Sequence, residues 1–150
     1  HILVSKSSTS LSDAGVNVNL GAHGQLQGLG VHWELWMLSQ GGMSNMEALK
    51  SATINGADYL GMEDEIGSLE EGKIADLIVL DKNPLDDIKN SDSVIYTVIN
   101  GRIYDTSTMN EVGNYDTPRS QFYWEKDQYA PAFDWHGKTM PKCSCEIGHQ

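Results

Sequence analysis

Residues 66–85 read IGSLEEGKIADLIVLDKNPL and decide how the middle of the chain is organised. Ile66 to Glu71 is typical of a short strand and turn, and Gly72 opens a loop. From Ile74 to Leu80 the residues are almost all apolar, which is typical of a buried strand. The pair Asn83-Pro84 favours a turn and ends the run. The chain therefore changes here from helix-forming to sheet-forming sequence.

The strongest turn signal lies further along, at Asn100-Gly101. Apolar stretches of strand length flank it, Val94 to Ile99 before it and Arg102 to Tyr104 after it. Asn-Gly between two such stretches predicts a hairpin, because both turn positions need a positive φ. From Tyr115 onward the sequence is polar, studded with aromatic residues and irregular, and no regular structure is predicted there.

Two helices are predicted upstream of this region. The stretch 31–40 is rich in large apolar residues and lacks a turn residue, so it predicts a buried helix that ends at Gly41-Gly42. Ser44 and Glu47 have the spacing of a capping box, in which each side chain satisfies a backbone donor at a helix start. Apolar residues then recur at helical spacing, and Gly61 is the predicted end of this second helix.

The first patterned segment is an alternation of Val16, Val18 and Leu20 with asparagines. This alternation predicts a short strand that runs into the glycine-flanked loop Gly21-Ala22-His23-Gly24. A single strand of the parallel type cannot bury both of its faces alone. Its partners are therefore expected upstream, or in another copy of the chain.

Composition and charge exclude some classes of function. The 150 residues, 39% of them hydrophobic, suffice for one ordinary domain or parts of two. A formal charge of −11 argues against a nucleic-acid partner, because phosphate neutralisation needs clustered Lys and Arg. No apolar stretch has the length of a transmembrane helix, so no membrane partner is expected. The start at His1 rather than Met favours a fragment or a mature product.

Several short motifs, spread in order from about residue 16 to 105, together resemble metal-dependent amidohydrolases. The last barrel helix of that family is resembled by Ala48-Leu49-Lys50-Ser51-Ala52-Thr53, Asn55-Gly56-Ala57 and Leu60-Gly61. The re-entry into its β-sandwich is resembled by Gly67-Ser68-Leu69, Glu71-Gly72-Lys73, Ala75-Asp76-Leu77, Asp81 and Asn83-Pro84-Leu85. The closing hairpin of the sandwich is resembled by Val98-Ile99-Asn100-Gly101-Arg102. The combination is specific, although each motif alone is weak. The chain resembles the C-terminal portion of an imidazolonepropionase-like or prolidase-like member.

The resemblance implies an α/β plus β architecture, with the last strand and helices of a (β/α)₈ barrel followed by part of a composite β-sandwich. Residues 1–62 would be the barrel remnant, 63–114 the sandwich part and 115–150 an irregular C-terminal extension. The missing N-terminal barrel of the same protein is then the expected partner. Because that barrel would cover apolar surface before Gly61, self-association of the chain is also expected.

The resemblance also implies a reaction, the hydrolysis of an amide or other C–N bond in a small amide or peptide substrate. Water activated on a divalent metal, expected to be zinc, would attack the substrate. In such barrels the chemistry lies on loops at the C-terminal ends of the strands, here the loop Gly21 to Gln25. Family members usually carry an aspartate where His23 lies, and that aspartate helps to bind the metal and moves the proton.

His23 is therefore the candidate catalytic residue and metal ligand, because imidazole can ligate a metal and act as a base near neutral pH. Gln25 is the candidate substrate contact. The family's other metal ligands have no counterpart in this chain and are expected upstream. The isolated chain is therefore expected to be catalytically silent and to hold no metal of its own. The alternative is a non-catalytic, β-rich module that works in binding or assembly.

Other polar residues are interpreted as structural. His32 and Glu34 are two residues apart on a helix, so their side chains point in different directions and favour a core-edge histidine over a metal pair. Asp76 and Asp81 could form a carboxylate pair, but in the resemblance they belong to the sandwich. Lys73 is likewise interpreted as a structural residue of the sandwich.

The C-terminal tail contains ligand types that zinc uses, at His136, Cys143, Cys145 and His149. The gap in Cys143-x-Cys145 is tighter than the usual two to four residues of zinc sites. An exposed tail, or one docked on the missing domain, is the preferred interpretation.

Overall fold

The computed structural model describes residues 1–23, 26–113, 115–122 and 125. Contacts group the chain into two compact units, His1–Pro118 and Arg119–Gln150. The first unit contains, in chain order, α1 (Ile2–Asp13), α2 (Leu29–Gln40), α3 (Asn45–Ser51), α4 (Ile54–Leu60), β1 (Leu77–Leu80), a 3₁₀ helix (Ile88–Asp92), β2 (Val94–Ile99), β3 (Arg102–Asp105) and β4 (Glu111–Val112). The domain boundaries near residues 62 and 114 stay predictions.

Helix α1 is absent from the sequence-based prediction. It is rich in serine, which favours caps and turns because its hydroxyl competes for backbone groups. Here the hydroxyls of Ser7, Ser8 and Ser10 donate to carbonyls one turn earlier in the helix itself. Ser5 is fully buried, and a β-carbon added at Gly41 would lie 2.5 Å from the Ser5 Cβ. The missing side chain at Gly41 thus lets α1 pack closely against the end of α2.

The helix predicted over 31–40 is confirmed as α2, and it begins two residues earlier. It ends at Gly41, and Gly42 follows with a φ of +103°. The core beneath it is formed by buried residues from α2, α3, the connection between them and the 3₁₀ helix: Leu35, Leu38, Met43, Ala48 and Ile88. None of the helices in the described ranges is both long and apolar enough to cross a membrane.

The predicted start of the second helix is confirmed in part. The Glu47 N–H donates to the Ser44 Oγ at 3.2 Å, as a capping box requires. The Glu47 carboxylate does not complete the box but accepts a bond from Lys50 Nζ at 2.8 Å. Gly61 ends the helical region with a φ of +68°, as predicted.

The strand predicted over 16–20, with partners expected upstream or in another copy of the chain, stays a prediction. These residues have no strand partner within the described part of the chain, where all strands lie between residues 77 and 112. The Leu20 N–H donates instead to the Ser51 carbonyl, at 2.9 Å. The single helix predicted from Ser44 to Gly61 is also interrupted between α3 and α4. That interruption leaves the Ser51 carbonyl available to the segment 16–22.

The four strands form one antiparallel sheet in the order β1-β2-β3-β4. The predicted hairpin between β2 and β3 is confirmed, with a φ of +48° at Asn100 and +77° at Gly101. The Asp76 carboxylate accepts from the Asn100 N–H at 2.6 Å, and the Gly101 N–H donates to the Ala75 carbonyl at 3.0 Å. Asp76 therefore has the structural role predicted for it.

Two strand predictions before the hairpin are corrected. Residues 66–71 form turns and bends, in which Gly67 has a φ of +90° that a regular strand cannot use. The buried strand predicted over 74–80 is shorter, since only β1 (Leu77–Leu80) pairs with a neighbour. It is also more exposed than predicted: Ile78 and Val79 are 51% and 38% exposed, and because adjacent residues of a strand point to opposite faces, both faces of β1 are partly uncovered in the described structure.

The last strand carries a buried carboxylate. Glu111 is only 4% exposed, and it accepts two hydrogen bonds from the Arg102 guanidinium, at 2.8 and 2.5 Å. Hydrogen bonding to Arg102 lowers the Glu111 pKa, against the opposing effect of burial. The same bonds raise the pKa of Arg102. The pair fixes β4 to β3.

In the second unit, Arg119 and Glu125 form a two-pronged ion pair at 2.7 and 2.6 Å. The Arg119 guanidinium also lies over the Phe122 ring, 4.5 Å from its centroid. The hydrogen bonds from Arg119 lower the pKa of Glu125 to about 2. This carboxylate therefore stays ionised through the physiological range.

Candidate active-site loop

His23 lies in an exposed turn that follows the segment 16–22, which belongs to no helix or strand. Its φ is +57°, a left-handed conformation that costs a residue with a side chain roughly 1–2 kcal/mol. Such a backbone persists where the surrounding structure fixes it, and it is common at functional sites. Gln25, the predicted substrate contact, lies outside the described residues.

The segment before His23 is fixed by hydrogen bonds to three helices. In chain order they join Asn17 Nδ2 to Asp58 Oδ2 (2.7 Å), Asn55 Nδ2 to the Val18 carbonyl (3.1 Å), the Leu20 N–H to the Ser51 carbonyl (2.9 Å) and the Gly21 N–H to Glu34 Oε2 (3.0 Å). Each partner is distant along the chain, and the nearest, Glu34, is 13 residues away. The location of His23 therefore depends on tertiary structure.

A groove of about 300 Å³ opens between this loop and α2. Its lining is mostly apolar and comes from Gly21, Ala22, Leu26, Gly30, Trp33, Glu34 and Met37. Trp33 is 47% exposed here. Trp36 is partly buried against the core, and its Nε1 donates to the Ser91 Oγ. The groove offers an apolar surface with one carboxylate, that of Glu34, beside the His23 loop.

His32 and Glu34 point in different directions, as their spacing on α2 predicts. The His32 Nδ1 lies 3.1 Å from the buried Ser91 Oγ in the 3₁₀ helix. Glu34 binds the Gly21 N–H on the loop instead. The interpretation of His32 as a core-edge residue is therefore confirmed, and the two side chains do not form a metal pair.

Lys73, Asp76 and Asp81 take part in the structure of the sheet region. The Lys73 ammonium donates to Ser68 Oγ and to Glu70 Oε1, and the latter bond is 3.1 Å long. Hydrogen bonding to Ser68 and to Lys73 lowers the pKa of Glu70. The tail residues His136, Cys143, Cys145 and His149 lie outside the described residues.

A metal centre needs several ligands that converge on one point. Within the ranges that the structure describes, no three His, Cys, Asp or Glu side chains come together in this way. His23 contributes one imidazole, with the loop residues after it outside the described set. The described residues alone therefore do not form a metal centre.

Comparison with known proteins identifies the family. The sequence matches the amidohydrolase family over residues 7–104, which include the C-terminal part of α1, the His23 loop, helices α2 to α4 and the β2–β3 turn. The chain belongs to the amidohydrolase family. Members of this family hydrolyse C–N bonds, and the superfamily usually binds a divalent metal.

Three similar proteins show how far this likeness extends. A 5-methylthioadenosine/S-adenosylhomocysteine deaminase from Teredinibacter turnerae is 39% identical over 88 residues, which are 51% of this chain and 20% of the deaminase. An imidazolonepropionase from Symbiobacterium thermophilum is 56% identical over 39 residues, which are 26% of this chain and 9% of that protein. The crystal structure of a Xaa-Pro dipeptidase superposes with a TM-score of 0.62 and 33% identity, over 68% of this chain and 25% of the dipeptidase.

The amidohydrolase chain thus spans about a fifth of the length of the deaminase and a quarter of the dipeptidase. These likenesses confirm the predicted resemblance to imidazolonepropionase-like and prolidase-like proteins. They also support the coarse fold prediction, because the structural relatives are amidohydrolases and the chain combines helices with a small antiparallel sheet.

Two residues that hold the candidate loop are missing from the sequence-based site prediction. Asn55 belongs to a recognised motif, but the motif itself does not reveal that its amide binds the Val18 carbonyl. Glu34 belongs to none of the motifs, and its contact with Gly21 joins two elements that only the fold brings together. The signal that the sequence offered was Glu34 itself, a charged residue within the largely apolar helix α2.

Proposed function

We propose that this chain is the C-terminal part of a metal-dependent amidohydrolase that hydrolyses an amide or other C–N bond in a small amide or peptide substrate. His23 acts at the catalytic centre, as a proton-transfer group or as one ligand of a divalent metal. Zinc is the proposed metal, because imidazole nitrogen is among its usual ligands. The remaining ligands come from the barrel strands of the same protein.

One observation carries this proposal. His23 lies within the matched region, at an exposed turn in a left-handed conformation, and the segment before it is fixed to three helices by long-range hydrogen bonds. The relatives support the reaction class, since the names deaminase and dipeptidase both describe cleavage of a C–N bond.

The test is an assay of the protein expressed from its complete gene, with added zinc, against dipeptides and cyclic amides. His23→Ala lowers kcat/KM by about 10²–10⁴-fold, the range for a positioned acid or base. His32→Gln is the matched control, because glutamine keeps a hydrogen-bonding group beside Ser91, and it retains activity close to wild type. Full activity in His23→Ala would refute the role of His23. Failure to cleave any C–N substrate would favour the binding or assembly module.

The apolar surface before Gly61 supports a proposal about partners. Leu3, Tyr59 and Leu60 are 80%, 79% and 65% exposed. We propose that the barrel covers this surface in the complete protein and that copies of the 150-residue chain associate through it when the barrel is absent. Light scattering of the chain alone then gives a mass above that of one copy, and a clean monomer would count against the proposal.

A further inference from the structure

Glu34 connects the middle of α2 to the start of the candidate loop. Its Oε2 accepts a hydrogen bond of 3.0 Å from the Gly21 N–H, two residues before His23. The Glu34 side chain also lines the groove beside the loop. The Glu34 carboxylate therefore joins helix α2 to Gly21, the first residue of the candidate loop.

Gly21 needs an external anchor. A β-carbon added to it would meet nothing within 4 Å, so side-chain packing does not restrain this residue. Glycine also has the widest choice of backbone conformations, which would let the loop turn away from its position. The conformation of His23, with its φ of +57°, depends on a preceding backbone that stays in place.

We propose that Glu34 is a positioning residue, whose carboxylate holds the Gly21 N–H and thereby sets the direction in which the His23 imidazole is presented. The functional consequence rests on the proposed role of His23, whereas the anchoring itself does not. An aliphatic residue at position 34 leaves the loop start without its acceptor. A glutamine retains an acceptor oxygen of similar reach and removes only the charge.

The experiment uses the 150-residue chain and is read out by NMR, without an activity assay. Glu34→Leu speeds hydrogen exchange of the Gly21 amide by about fivefold to tenfold, the effect expected when one hydrogen bond is lost. It also shifts the ring signals of His23, while those of His32 stay unchanged as an internal reference. Glu34→Gln keeps both the slow exchange and the His23 signals. This variant separates the hydrogen bond from the electrostatic effect of a carboxylate on exchange.

Glu47→Leu is the matched control, because it removes the same charge from a neighbouring helix where the carboxylate binds Lys50 and not the loop. It leaves the Gly21 exchange rate and the His23 signals at their wild-type values. Equal exchange of the Gly21 amide in wild type and Glu34→Leu would overturn the proposal. Equal shifts of the His23 signals in Glu34→Leu and Glu47→Leu would also overturn it.

The assay of the complete protein distinguishes this proposal from the proposed function. If no C–N substrate is cleaved, the proposed function fails, and the exchange data still decide whether Glu34 anchors the loop. In an active protein, Glu34→Leu lowers kcat more than it changes KM, and Glu34→Gln restores kcat. A Glu34→Leu enzyme with unchanged kcat would show that the anchor does not position His23 for catalysis.

Discussion

The β2–β3 hairpin and the segment 16–22 are held in different ways. The hairpin pairs its own adjacent strands around Asn100 and Gly101, within a dozen residues. Apart from the Val16 N–H, which donates to the nearby Leu11 carbonyl, the segment 16–22 is hydrogen-bonded to α2, α3 and α4, with partners 13 to 41 residues away. The strand pairing of the hairpin is local, although its turn also binds Ala75 and Asp76, whereas the segment before His23 is held mainly by tertiary contacts.

This difference bears on function. The hairpin carries none of the candidate chemistry. The segment before His23 is correct only if the helices beneath it are correctly packed, because Val18 and Leu20 contact the core of α2 and α3. Changes in the helical core are therefore expected to reach the candidate site, while changes in the sheet are not.

The largest expected effect comes from the core below the segment. Leu38→Ala destabilises the fold by about 2–5 kcal/mol, because it removes a fully buried side chain and leaves a cavity. Ile78→Ala, on the half-exposed strand β1, costs less than about 1 kcal/mol. Urea denaturation gives both values. Equal losses for the two variants would contradict the location of the core.

The next effect tests the local specification of the hairpin. Gly101→Ala costs roughly 1–2 kcal/mol, because alanine is strained at a φ of +77° although space is available there. Gly56→Ala is the matched control, since it lies in helix α4 with nothing within 4 Å of the added β-carbon. That variant stabilises the chain by about 0.5–1 kcal/mol. Thermal unfolding followed by circular dichroism measures both, and a stabilising Gly101→Ala would refute the hairpin geometry.

A smaller effect tests the long-range anchoring of the segment. Asn55→Ala costs about 0.5–1.5 kcal/mol, because the partly buried Val18 carbonyl loses its donor. Asn17→Ala serves as the comparison, since its bond to Asp58 is exposed to solvent and contributes less. Urea midpoints rank the two variants. A larger loss for Asn17→Ala would show that the anchor lies elsewhere.

The smallest effect concerns the sheet and depends on pH. Hydrogen bonding to Arg102 lowers the Glu111 pKa below its ordinary value of 4.5, so the ionised pair stabilises the fold above that pH. The stabilisation is lost as the pH falls through the lower, folded-state pKa. It is modest, because the Arg102 side chain is 54% exposed and solvent weakens the pair.

Between about pH 6 and pH 3, the urea midpoint of wild type is expected to fall more steeply than that of Glu111→Gln, which has no carboxyl to protonate. Other carboxylates with lowered pKa values, such as Glu70 and Asp105, are common to both proteins and cancel in the difference. Parallel curves would show that Glu111 contributes nothing to the acid sensitivity.

The residues that could be predicted from sequence are those with local signals. The run of apolar residues in α2, the Ser44 cap and the Asn100-Gly101 turn each depend on neighbours in the chain, and each is found. Helix α1 escapes prediction because its serines favour turns, and its stability comes from the contact of Ser5 with Gly41.

The alternation of Val and Asn at 16–20 predicts a strand, but it does not reveal that α3 and α4 provide hydrogen bonds to these residues. At the candidate site, His23 is found through its family resemblance. The contact of Glu34 with Gly21 could not be predicted from the sequence, because no sequence pattern links these two residues, which lie 13 positions apart.

The most direct test of the central claim compares hydrolysis of C–N substrates by the 150-residue chain and by the protein expressed from its complete gene, both with zinc added. If this amidohydrolase chain supplies only part of a catalytic centre, the chain alone is inactive and the complete protein cleaves at least one dipeptide or cyclic amide. Cleavage by the chain alone, at a rate similar to that of the complete protein, would contradict the account.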